Sequence, residues 1–268
     1  MRGVLFFLTI GAALACANAR AGQADAVAAL AREKAAAVAL MKARASNGVA
    51  TLAQDRVFGA YLTAATLGEG VRMRTRIEAI LSTLKGRFGI DGIVLADRSG
   101  DVLVRIGSAS ASAGKLDAKS DAMLLAGFAQ QARRVAVLPQ AAAMTYATPV
   151  VWRDQAEFVL GATQAFASYR AVLARGTGKE RFVVLADAKG AILADTRSGT
   201  NTKVVGSYTL DALQRAVKGT ARAGAGEIAD GSDHFSVSYV AVGEWTVIAA
   251  ETAEPPRRCS KDGIRLCG

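Results

Sequence analysis

Apolar and polar positions follow two rhythms along this chain, and one passage occurs twice. The clearer copy is the later one. The apolar run Arg181-Phe182-Val183-Val184-Leu185-Ala186 meets Asp187-Ala188-Lys189-Gly190, and a second apolar run, Ala191-Ile192-Leu193-Ala194-Asp195, follows. Aliphatic and β-branched runs favour extended chain, and Asp-x-x-Gly is turn chemistry. The Asp side chain accepts from backbone N–H groups two residues on, and Gly takes the positive φ that closes a short hairpin. The earlier copy is Ile93-Val94-Leu95-Ala96-Asp97-Arg98-Ser99-Gly100-Asp101-Val102-Leu103-Val104-Arg105, a shift of 90 residues (187 − 97). At that shift Val94, Leu95, Ala96, Asp97, Gly100 and Leu103 meet identical residues. The period is too long for a solenoid repeat, so the pattern predicts two similar modules in tandem.

The helical rhythm dominates before the first copy. Residues 24–46 are rich in Ala, Arg, Lys and Glu, with Val27, Leu30, Val38 and Met41 to one side, which predicts a long helix. Asn47-Gly48 is expected to interrupt it, and Gly68-Glu69-Gly70 to break a continuation over 49–67. Ile77, Ile80, Leu81, Leu84 and Phe88 then mark an amphipathic helix. After the first hairpin the spacing predicts a helix over 117–134, strands over 144–152 and 157–166 joined by Arg153-Asp154-Gln155, and a short helix over 168–174. Gly176-Thr177-Gly178 marks the boundary. The second module repeats the plan with a helix over 209–218 and strands over 226–229, 234–242 and 245–251. The fold class expected is α+β, with a long N-terminal helix and antiparallel sheets of about five strands carrying helices.

The first residues change the picture from cytoplasmic to exported. Met1-Arg2-Gly3, an apolar run from Val4 to Cys16, and Ala17-Asn18-Ala19 or Ala19-Arg20-Ala21 have the order of a signal peptide. The apolar run is shorter than the ~20 residues of a spanning helix, so residues 1–21 are expected to be removed rather than to anchor the chain, and the protein is expected to be periplasmic. Leu14-Ala15-Cys16 is a weaker lipoprotein signal, with Ala13 where a larger aliphatic residue is usual. The 268 residues are 51% hydrophobic and carry a net charge of +10. The Lys and Arg residues are scattered and form no phosphate-tracking run, and export removes nucleic acid as a partner. Once Cys16 has left, Cys259 and Cys267 remain, and an oxidising compartment lets them pair.

Catalysis finds little support. His234 is the one histidine. Asp230, Asp233 and His234 sit near a strand mouth, but a transition-metal site ordinarily brings more nitrogen or sulfur ligands. There is no Gly-x-Ser-x-Gly elbow, no Gly-rich phosphate loop and no haem-attachment motif. No catalytic residue, metal or cofactor is expected, and a hydrolase built on His234 ranks last among the readings.

A long N-terminal helix followed by strand, Asp-x-x-Gly, strand, helix and hairpin, twice over, resembles the double Cache family of extracytoplasmic ligand-binding sensors, whose modules are PAS-like. The resemblance spans about residues 24–253. It implies a signal peptide over 1–21, a helical segment over 22–89, a membrane-distal-type module over 90–176, a membrane-proximal-type module over 177–254 and a cysteine-bearing tail over 255–268. Members usually hold ligand in the distal module, between sheet and covering helix. Alternation puts Tyr146, Thr148 and Val150 on one face of one strand and Val159, Gly161 and Thr163 on one face of its partner, so Tyr146, Thr148 and Thr163 are expected to share a surface. Tyr146 is equally readable as a core tyrosine. Arg105, at the end of the first hairpin, is a candidate partner for a carboxylate or a solvated strand-end residue. The second module offers Tyr208, His234, Ser236 and Ser238, with Phe235, Val237 and Tyr239 turned to the other layer.

Two departures from the family shape the functional expectation. Members that bind amino acids carry Gly-x-Asp where this chain has Gly161-Ala162-Thr163, and the Tyr-x4-Arg-x-Trp-Tyr run is missing. The expected ligand is therefore a carboxylate or a neutral polar molecule rather than an α-amino acid. Members also continue into a transmembrane helix and a signalling module, whereas this sequence ends in a short tail. The chain is expected to bind a small molecule and report to a membrane receptor or sensor kinase, with a homodimer through the N-terminal helix as a further arrangement. The rival expectation is a Cache scaffold with filled pockets that acts as a periplasmic adaptor.

Overall fold

The N-terminal helix is longer than its glycine suggests. In the computed structural model, which describes residues 4–107, 122, 124–126, 134–138, 143–178, 180–188, 190–197, 223–230 and 233–253, α1 runs unbroken over Val4–Leu52. Asn47-Gly48 does not interrupt it. Glycine costs about 1 kcal/mol in a helix interior, but a Cβ at position 48 would stand 2.4 Å from Phe88 Cγ. The bare backbone is the seat of that ring, and the packing offsets the lost propensity. α2 (Arg56–Leu62) follows, with Asp55 accepting from Val57 N at its start. α3 (Leu67–Phe88) takes Gly68 and Gly70 into its first turn rather than breaking there. A capping box explains this: Thr66 Oγ1 accepts from Glu69 N, and the Glu69 carboxylate accepts from Thr66 N. Ile77 and Leu81 form its buried stripe, and Gly89 closes it at φ 66°.

Each module is a five-stranded antiparallel sheet. The first comprises β1 (Gly92–Asp97), β2 (Val102–Gly107), β3 (Arg134–Leu138), β4 (Ala143–Trp152) and β5 (Gln155–Ala165), in the order β2-β1-β5-β4-β3. α4 (Phe166–Ala174) follows β5. The second sheet comprises β6 (Arg181–Asp187), β7 (Ile192–Asp195), β8 (Ala223–Asp230), β9 (Asp233–Val242) and β10 (Trp245–Ala253), in the order β7-β6-β10-β9-β8. The repeat in sequence is thus a repeat in topology. β3 was not anticipated: its first residue, Arg134, was expected to end a helix, of which Ala122 and 124–126 are described as helical.

The Asp-x-x-Gly turns are alike to the bond. Gly100 N donates to Asp97 O at 3.0 Å, and Gly190 N to Asp187 O at 3.0 Å. Asp97 Oδ1 accepts from Asp101 N, and Asp187 Oδ1 from Ala191 N, at 3.0 and 2.8 Å. Both glycines sit at φ 84°, where a side chain is strained. Each hairpin also carries its bulge at the same place, Leu95/Ala96 and Leu185/Ala186.

The chain divides into two compact units, one over Ala36–Val172 and one formed by Met1–Ala35 with Leu173–Gly268. The first, called here the distal-type unit, buries Val38, Ala45, Val49 and Leu52 of α1, and the second buries Val27, Leu30 and Ala31. In the second unit Lys34 is buried, and its ammonium donates to Arg175 O just beyond the end of α4 and to Glu33 Oε1 at 3.0 Å. Among the described residues no helix is long and apolar enough to cross a membrane.

Candidate ligand site

The two faces of the distal-type sheet do different work, and register decides which residue lies on which. β4 and β5 are joined by a tight turn in which Arg153 and Asp154 take φ of 49° and 63°. Next to the turn, Trp152 pairs with Gln155 and Val151 with Ala156. Carried inward unchanged, that register sets Tyr146 opposite Gly161 and puts Thr163 on its face. A bulge at Val150/Val151 intervenes, leaving Glu157 without a partner, and beyond it Tyr146 pairs with Ala162 and Thr145 with Thr163. One extra residue moves a whole strand's side chains to the other face. The shared surface expected for Tyr146, Thr148 and Thr163 is therefore corrected: Tyr146 and Thr148 lie on one face and Thr163 on the other. Arg98, from the Asp97–Gly100 turn, holds the bulge, donating from Nε to Ala156 O at 2.7 Å and from Nη2 to Gln155 Oε1 at 3.0 Å.

The face that carries Tyr146 is core. Phe158 there meets the rings of Phe58 and Tyr61 from α2, with centroids 6.4 and 5.9 Å away. Tyr146 is fully buried and donates to Gln164 Oε1 at 3.0 Å, and Tyr169 of α4 donates to the same oxygen. The two phenol oxygens lie 3.4 Å apart, and Gln164 Nε2 donates to Gly89 O at 2.9 Å. Burial first, then the neighbouring Tyr146 hydroxyl and the Asp91 carboxylate, push the Tyr169 phenol well above the ordinary value of 10.0. Thr148 is buried on this face, and its hydroxyl has no partner among the described residues.

The opposite face has a dry centre and a polar strip. Val94, Ala96, Leu124, Ala147 and Val159 form the centre. Gly161 is needed there, because a Cβ would come within 2.6 Å of Leu124 Cδ2 and 2.7 Å of Val94 Cγ1. One step along the strands, the register aligns Thr145, Thr163, Gly92 and Gly107. Two short hydroxyl side chains and two glycines make up this row. Thr163 Oγ1 donates to Gly92 O at 3.4 Å. Thr145 is buried, and its hydroxyl has no partner among the described residues. Arg105 pairs with Val94 and so belongs to this face, half-buried at the end of the dry centre. A guanidinium and two hydroxyls on one surface suit a carboxylate that also carries a hydrogen-bonding group. Sequence reading passed over Thr145. The only signal for it was its place one residue before Tyr146, on the face that the bulge exchanges.

In the second unit, His234, Ser236 and Ser238 share one face of β9, and Phe235, Val237 and Tyr239 share the other with Phe182, Val184, Ile248 and Ala250. His234 and Ser236 are half-buried. Tyr208, Cys259 and Cys267 lie outside the described residues.

No family model and no curated protein sequence matches the chain. Solved structures do. The sensory domain of the Campylobacter jejuni chemoreceptor Tlp3, with isoleucine bound, is similar with a TM-score of 0.63 at 15% identity, covering 87% of this chain and 94% of that one. The sensor domain of the V. cholerae histidine kinase DctB gives 0.60 at 11% identity, covering 87% and 98%. The extracellular domain of the putative histidine kinase vpHK1S-Z8 gives 0.54 at 14% identity, covering 84% and 93%. These are sensory domains of chemoreceptors and kinases, and with its long helix and two tandem five-stranded sheets the chain has the fold of the double Cache sensor domains.

Proposed function

We propose that this chain is an exported sensor-type protein that binds a small carboxylate on the Thr145–Thr163–Arg105 face of its distal-type unit and passes its state to a membrane receptor or kinase. The observation that carries the reading is the buried Thr145 hydroxyl, without a partner among the described residues, on the same surface as Thr163 and Arg105. A buried hydroxyl left unpaired costs about 1–3 kcal/mol, and a ligand oxygen relieves that cost. Arg105 lies two strands across and two residues along from Thr163, about 12 Å from backbone to backbone, which suits a short molecule between them. Thr145 and Thr163 offer hydroxyls and no carboxylate, and an α-ammonium group taken between them would lack an anionic partner. The solved relatives Tlp3 and DctB sit in a chemoreceptor and a kinase, which supports the sensor role and the exported location.

The dry centre favours a second reading. Leu124 is seated so closely on Gly161 that a scaffold with a filled face would look the same there. Thermal-shift and calorimetric titration of the mature protein with acetate, propionate, lactate, pyruvate, succinate and the common amino acids separates the two, because a ligand of the native state raises its stability. The carboxylate reading expects binding that Thr145→Val, Thr163→Val and Arg105→Gln each weaken and that His234→Ala leaves intact. An amino acid bound equally well by Thr145→Val and Thr163→Val overturns it, and no binding at all leaves the scaffold reading.

A further inference from the structure

β5 presents consecutive residues to opposite sides: Thr163 to the polar strip and Gln164 to the buried core. Gln164 joins three segments, bonding Gly89 O at the end of α3, Tyr146 on β4 and Tyr169 on α4. One residue later Ala165 N donates to Asp91 Oδ2 at 2.6 Å, and Ser168 Oγ donates to the same carboxylate at 3.1 Å. Ala165 immediately precedes α4 and Ser168 lies in its first turn, so Asp91 ties the start of the helix from another segment, bonding the preceding backbone N–H as the glutamate of a capping box does. This matters because α4 has nine residues, with no acidic side chain in its first turn and no basic one in its last. A helix that short is marginal alone, and its order depends on what holds its ends. Its first turn is held in the distal-type unit by Asp91 and Tyr169, and the carbonyl just past its end is held in the other unit by Lys34.

We propose that Gln164 and Asp91 are positioning residues that carry the state of the Thr145–Thr163 strip into α4, the helix by which the chain leaves the distal-type unit. The proposal rests on the ligand reading for what displaces β5; the mechanical tie itself does not need it. A displacement of Thr163 moves its neighbour Gln164, and a hydrogen bond of 3.0 Å is lost within a fraction of an ångström to one ångström of separation. Tyr169 and the first turn of α4 then lose their anchor.

The test needs no ligand. Thr163→Leu overfills the strip, and amide hydrogen exchange reads α4 separately from β1 and β4. Asp91→Asn and Gln164→Met are each expected to speed exchange in α4 roughly tenfold while β1 and β4 change little, the signature of local rather than global opening. Thr163→Leu is expected to speed α4 exchange with Gln164 in place and to add less than about twofold in the Gln164→Met background, since coupled residues are non-additive. Equal effects of Thr163→Leu in both backgrounds, or uniform acceleration across the sheet in the single variants, overturn the assignment. If Gln164→Met does not fold, Tyr169→Phe removes only the α4 arm and takes its place in the same cycle. Failure of every carboxylate to bind would sink the ligand reading and leave this result standing.

Discussion

Gly161→Ala tests whether the covering segment is seated on the sheet as described. The new Cβ would stand 2.6 Å from Leu124 Cδ2 and 2.7 Å from Val94 Cγ1. Ordinary carbon contacts lie at about 3.5–4.0 Å, so close to an ångström must be recovered on each side. Leu124 can turn its side chain away. Val94 cannot, because it is β-branched, buried and fixed on a strand paired on both sides. Overpacking of this kind costs about 3 kcal/mol at the upper end of its usual range. Two gains oppose it: about 0.8 kcal/mol for one buried methyl and about 0.4–1 kcal/mol from a stiffer unfolded chain. The net expectation is a loss of about 1–2 kcal/mol, which for a unit of this size lowers the melting temperature by about 4–8 °C. Calorimetry of Gly161→Ala beside Gly226→Ala, where nothing lies within 4 Å of the added Cβ, provides the comparison. Leu124→Ala should absorb only the Leu124 share of the Gly161→Ala penalty in the double variant and leave the share due to Val94. A Gly161→Ala protein that melts at or above the wild type would show that Val94 and Leu124 do not close on Gly161, and the dry centre would have to be redrawn.

Three further outcomes are expected. Tyr169 has a raised folded value, so its contribution to stability is complete below its unfolded value near 10.0 and is lost as pH rises above it. Urea unfolding between about pH 10 and 11.5 should show stability falling by up to about 1.4 kcal/mol per pH unit from this residue, and Tyr169→Phe should remove that part of the slope. Lys34→Met keeps the buried stem and strips Arg175 O of its donor, at a cost of about 1–3 kcal/mol in equilibrium unfolding; a neutral result would mean that the carbonyl finds water. Intact-mass analysis of the exported protein should begin near Arg20 or Gly22, whereas a mass retaining Met1 or a lipid on Cys16 would contradict cleavage there.

The repeat, both hairpin turns and most strands were legible because their causes are local. Asp97-x-x-Gly100 and Asp187-x-x-Gly190 carry their own turn chemistry, and the apolar runs beside them have no other use. The continuity of α1 was not legible, since what lets Gly48 stay helical is the ring of Phe88, forty residues away in sequence. The face of Thr163 was not legible for a related reason. Alternation sorts residues within a strand, but pairing between strands depends on a bulge whose clamp, Arg98, comes from a different hairpin. Thr145 was hidden by the same slip. Each of these three misses is a tertiary contact that overrules a correct local rule.

The two modules, once superposed by register, differ where a ligand would matter. Val94 corresponds to Val184, so the strip Gly92, Thr163 and Thr145 corresponds to Phe182, Ala250 and Val237. The second unit has filled the row with apolar side chains, and Phe182, Ala250 and Val237 belong to its core cluster. Arg105 corresponds to Asp195, and there the charge is satisfied from within: Arg197 donates from Nε and Nη2 to the Asp195 carboxylate, with Nη2 at 2.6 Å, and lies 4.1 Å over the Phe182 ring. An Asp195–Arg197 pair thus stands in one unit at the position that Arg105 takes in the other. One module carries apolar side chains in the row where the other carries two hydroxyls and a glycine.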